Sequence, residues 1–141
     1  MKRFISISVC VLLIASFFSI RSVAADKKAQ AVVSKQAKVE VYYFHFTRRC
    51  VTCQAVEAET QKAIAALYAK EMKAGKIKFT AINLDDKGSE ALAAKCKADG
   101  QALLVIGGTK RIDLTEQGFM YAKNSPDKLK AALKKTIDPL L

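Results

Sequence analysis

The chain has a single histidine, His45, and four cysteines, of which only Cys50 and Cys53 stand at C-x-x-C spacing. Structural zinc sites normally use four ligands, often supplied as two such pairs, so this shortage argues against zinc. No G-x-G-x-x-G follows a strand-like run, which removes the usual signature of a nicotinamide or flavin site. Internal repeats and low-complexity segments are absent too. Basic residues outnumber acidic ones, 24 to 13, yet the lysines are scattered over predicted helices and form no stripe interleaved with aromatics, so no nucleic-acid partner is expected.

Residues 1–25 read as a targeting segment. Met1, Lys2 and Arg3 give a positive start, Phe4 to Ile20 is apolar apart from serines, and Ser22 to Ala25 offers small residues for cleavage. The expected location is periplasmic, by export, with an uncleaved tether to the inner membrane as the alternative. Cys10 lies inside this apolar run and leaves with it. Without Lys2, Arg3 and Arg21, 21 basic residues face 13 acidic ones, a net charge of +8. The remaining length suits one compact domain, expected to be a monomer.

Residues 26–38 form a polar leader, and the domain is assigned to 39–141. Val39 to Phe46 is dense in β-branched and aromatic residues with little alternation, as in a strand covered on both faces. Gln54 to Met72 has the apolar stripe of an amphipathic helix. Ile77 to Leu84 alternates as a strand does. Ser89, read as a cap, opens a helix that runs to Ala98 and stops at Asp99-Gly100. Ala102 to Ile106 and Arg111 to Leu114 are joined by a Gly107-Gly108-Thr109 hairpin turn. Ser125, Pro126 and Asp127 signal a last helix lined by Leu129, Leu133 and Ile137. The order β-α-β-α-β-β-α predicts an α/β fold with a mixed four-stranded sheet flanked by helices.

Cys50 and Cys53 fall where the first strand gives way to the first helix. Two thiols three positions apart at a helix start can close into a disulfide and reopen. The partial positive charge of that terminus favours the thiolate of Cys50, the expected nucleophile. Three alternatives stand beside dithiol redox chemistry: a static disulfide, a metal site adding His45 or Cys96, and capture of a soft ion such as trivalent arsenic. Cys96, the third cysteine of the domain, lies at helical spacing with Ala91 and Leu92 and reads as a small buried hydrophobe, with a resolving thiol as the sharper alternative. His45 reads as a packed histidine.

With the C-x-x-C at the end of its first strand, this order of elements resembles the thioredoxin-like superfamily from Val39 to the last helix. The inner pair Val51-Thr52 is similar to that of thioredoxin-like domains in periplasmic electron-relay reductases, which implies reduction. The resemblance also marks three departures. Ala102 stands where such proteins carry a cis-proline, Phe44 where thioredoxins bury an acid, and Arg49 where a tryptophan is common. Glu40 and His45 are the residues of the same strand that could take the place of that acid. Arg48 and Arg49 next to Cys50 form a cationic rim expected to tune the thiolate and, with Ala102, to meet the partner.

The stretch His45 to Gln54 (HFTRRCVTCQ) also resembles small exported proteins named as the subunit of a nitrophenyl compound nitroreductase, the ArsF family, associated with aromatic arsenical resistance and a membrane permease. The function expected is that of an exported thioredoxin-like thiol-disulfide oxidoreductase acting as a reductant through Cys50 and Cys53, with no cofactor and no metal. Its partners would be a disulfide-bearing protein or small molecule and a membrane electron donor or permease. The alternatives are a nitroreductase subunit and a thiol-based carrier of soft metals or arsenicals.

Overall fold

A computed structural model describes residues 37–141; the expected targeting segment, Cys10 and most of the leader lie outside the described residues. The chain runs β1 (Val39–His45), α1 (Val51–Leu67), α2 (Ala69–Lys73), β2 (Ile77–Asn83), α3 (Ser89–Cys96), β3 (Ala102–Gly107), β4 (Lys110–Asp113), α4 (Thr115–Tyr121) and α5 (Pro126–Ile137), closing with a 3-10 turn, Asp138–Leu140. The sheet has the order β2-β1-β3-β4, with β1 parallel to β2, antiparallel to β3, and β3 antiparallel to β4. This is the expected α/β class with a mixed four-stranded sheet.

The absence of alternation in β1 follows from its place. As a central strand it sends Val39, Val41 and Tyr43 into a core shared with Val56 and Ile64 of α1 and Leu129, Leu133 and Ile137 of α5. Its intervening residues Tyr42 and Phe44 enter a second core with Ala93 and Cys96 of α3 and Leu104 of β3. Both faces therefore select apolar side chains. Among the described residues no helix is long and apolar enough to cross a membrane.

Several boundaries depart from the expectation. The first helix begins at Val51 rather than Gln54, so Cys50 is its N-cap and Cys53 lies in its first turn. It breaks at Tyr68, whose ring turns inward and whose hydroxyl donates to Asp138 Oδ1 at 2.6 Å, and it resumes as α2. Gly88, at φ +90°, holds the cap position of α3; Ser89 is the first helical residue and its hydroxyl donates to Leu84 O. That helix stops at Cys96, where Lys97 turns left-handed. The last strand ends at Asp113, and Ser125 occupies the cap position of α5 without a side-chain capping bond.

Helix α4 was not anticipated. Its sequence, TEQGFMY, carries Gly118 in the middle, which ordinarily weakens a helix. Here the missing side chain allows a close approach: a Cβ on Gly118 would lie 3.2 Å from both Leu103 Cδ2 and Val56 Cγ1, tighter than an ordinary contact. Packing against α1 and β3 outweighs the local propensity.

Candidate redox site

The loop from Phe46 to Cys50 hangs on the far end of β2. Thr47 N–H donates to Asp85 Oδ2 at 2.8 Å, Asn83 Nδ2 donates to Thr47 Oγ1 at 2.9 Å, and Leu84 N–H donates to His45 O at 2.7 Å. So held, the chain enters α1 with Cys50 extended (φ −75°, ψ 167°), the geometry of a helix cap, and its sulfur accepts from Cys53 N–H at 3.3 Å. A cysteine here does the work usually done by a serine or aspartate.

The two sulfurs lie 2.7 Å apart. Their surroundings differ sharply, because Cys50 is exposed whereas Cys53 is 4% exposed. The hydrogen bond from the Cys53 side chain, then those from backbone N–H groups of the first turn, hold the Cys50 thiol below the ordinary cysteine range. Burial, then the bond to Cys50, pushes Cys53 up. One sulfur is set to carry charge and the other to keep its proton, the division of labour that disulfide exchange needs.

Two further contacts fix Cys53. The buried hydroxyl of Tyr43 donates to its carbonyl oxygen at 3.0 Å, and Gln101 Oε1, 3.2 Å from its sulfur, is a second acceptor for the thiol proton. Neither residue stood out in the sequence. Tyr43 lies within the aromatic run of the first strand and is a core residue as well, and the position of Gln101 directly before β3, opposite the C-x-x-C, was the available signal.

The other expected site residues are placed as follows. Arg49 forms an ion pair with Glu57 of α1, one helical turn beyond Cys53, and Arg48 is exposed. Ala102 is the first residue of β3, 7% exposed and paired with Phe44; no cis peptide bond occurs among the described residues. Phe44, where the resemblance would lead one to expect a buried acid, is wholly buried in the second core. His45 is the packed residue expected, 9% exposed, its Nδ1 within 3.0 Å of Phe46 O and its ring 5.8 Å from that of Tyr43. Cys96 is buried in the second core, on the opposite face of the sheet from Tyr43, and burial raises its thiol above the ordinary range. Among the described residues no three His, Cys, Asp or Glu side chains are grouped to hold a metal ion.

A C-x-x-C at the start of a helix, on a mixed four-stranded sheet flanked by helices, is compatible with a thioredoxin-like fold. No protein-family model matches the chain, and no curated protein matches it. Among solved structures it is similar to a chain titled "Structure of a malarial protein", with 22% identity over 70% of this chain and 96% of that one, and a TM-score of 0.45.

Proposed function

We propose that the protein is an exported, thioredoxin-like thiol-disulfide oxidoreductase that works as a reductant. The observation that carries this reading is the asymmetric pair: an exposed Cys50 sulfur with a lowered pKa, 2.7 Å from a buried Cys53 sulfur with a raised one. The Cys50 thiolate attacks one sulfur of a substrate disulfide, and the other substrate sulfur departs as a thiolate that takes a proton from water. Cys53 then bonds to Cys50, releasing the second substrate thiol and leaving the Cys50–Cys53 disulfide. Two electrons have passed to the substrate, and a dithiol donor at the membrane returns them.

The resemblance over His45 to Gln54 supports a narrower version, in which the same dithiol serves a partner subunit whose own cofactor reduces a nitro group of an aromatic arsenical. That version predicts nitro reduction only when the partner is present. The general reading is tested by following reduction of insulin or a model disulfide by the reduced protein and by Cys50→Ser. Loss of activity in the variant supports it; equal rates overturn it. Equilibration in glutathione buffers gives the direction, a potential near about −270 mV marking a reductant and one near about −120 mV an oxidant.

A further inference from the structure

The Cys53 thiol has two acceptors within reach, Cys50 Sγ at 2.7 Å and Gln101 Oε1 at 3.2 Å. It has one proton to give. We propose that Gln101 is a positioning residue for the redox pair: its side-chain carbonyl holds the proton on Cys53 and so assigns the negative charge to Cys50. This rests on the dithiol reading above and adds to it the group that decides which sulfur is the nucleophile.

Three observations support it. Cys53 is almost fully buried, so water is a poor competitor for its proton. Gln101 is anchored by its neighbour Ala102, which enters β3 in register with Phe44 of the central strand, so the reach of the amide is set by the sheet. On β1 the residue facing the pair is Tyr43, whose hydroxyl is committed to Cys53 O, while Phe44 points into the opposite core, so the central strand offers no carboxylate to compete with the amide. The titratable groups acting near Cys53 are Cys50 at the start of α1 and Tyr43 on β1, with Arg49 and Glu57 paired beyond Tyr43; Gln101, directly before β3, and Ala102, the first residue of β3, do not ionise.

An amide suits this role because it accepts a hydrogen bond at every pH without taking the proton. When the Cys50 sulfur has bonded to substrate, the Cys53 sulfur bonds to it, the sulfur–sulfur bond to substrate breaks, and the proton Cys53 has kept goes to the departing thiolate. Atoms and electrons balance without a further base.

The test is a titration of the reduced full chain carrying carbon-13 at the cysteine Cβ, followed by NMR, with Gln101→Leu and Gln101→Glu alongside. Leucine keeps the volume and removes the acceptor, so the Cys53 midpoint should fall by about half to one pH unit and approach that of Cys50. Glutamate keeps the shape with a stronger acceptor, so the Cys53 midpoint should rise, while buried Cys96 stays still in both variants. Movement in opposite directions supports the proposal; movement in one direction, or none in a folded variant, overturns it. If the leucine variant fails to fold, Gln101→Met decides, since it too removes the acceptor without adding charge: a fall supports the proposal and an unmoved midpoint overturns it. The titration needs no turnover. Opposed shifts in an inactive protein would therefore sink the reductase reading alone, and unmoved thiols in an active protein would sink the role of Gln101 alone.

Discussion

The Tyr43 hydroxyl reaches from the central strand to the carbonyl oxygen of Cys53, 3.0 Å away, tying the first turn of α1 to the sheet beneath it. Burial holds the Tyr43 hydroxyl above its ordinary pKa, so it is a donor throughout the working range. Tyr43→Phe should lower unfolding stability by about 1 kcal/mol in urea titrations, the worth of one buried hydrogen bond. An unchanged midpoint would show the contact to be idle.

Cys50 and Cys53 should part company as pH rises. With the Cys50 pKa lowered, its charged form persists below the ordinary cysteine range and is lost only as pH falls through that lowered value. Alkylation by iodoacetamide at about pH 7 should therefore label Cys50 faster in the folded reduced protein than in urea, with Cys53 and Cys96 spared. Equal labelling of all three in the folded state would refute the asymmetry.

Thr60 is wholly buried on α1, and its hydroxyl makes no hydrogen bond with any described residue. An orphaned buried hydroxyl costs about 1–3 kcal/mol, and valine has nearly the same shape without it. Thr60→Val should raise the thermal midpoint, by the equivalent of about 1 kcal/mol, and leave disulfide reduction unchanged. A drop in the midpoint would mean that the hydroxyl has a partner.

Gly118 is a helical glycine that should resist improvement. Alanine there gains about 1 kcal/mol of helix propensity, but its methyl meets Leu103 and Val56 at 3.2 Å, and overpacking of a tight core contact costs about 1–3 kcal/mol. Gly118→Ala is expected to lose about 1 kcal/mol net. A gain in stability would show that α4 can slide outward freely.

The two arginines before Cys50 should behave differently. Arg49 is half-buried and paired with Glu57, so Arg49→Ala should cost at most about 1 kcal/mol of stability. Arg48 is exposed and forms no ion pair with a described residue. If the rim steers anionic partners, Arg48→Glu should slow their reduction at low salt and converge on wild type at high salt. A salt-independent defect would assign Arg48 some other part.

The class and order of the strands, and the placing of the C-x-x-C at a helix start, could be read from the sequence because those signals are local. A strand buried on both faces loses its alternation, and Val39 to His45 did. What stayed hidden depends on distant partners. Helix α4 forms because Gly118 fits against Val56 and Leu103, a contact between three separate elements. Gln101 stands opposite the C-x-x-C because β3 is laid beside β1, and Arg49 of the loop is held by Glu57 on α1, a pairing across elements that local patterning does not reveal.

The stitching of Thr47 to Asn83 and Asp85 bears on how the protein comes into being. Synthesis delivers both site cysteines before the carboxylate that braces their loop, and earlier still than the amide opposite them. A growing chain thus carries two thiols with neither brace nor proton-holder. Oxidation during emergence would trap them before their unequal characters exist, so the second half of the domain matures the chemistry of the first.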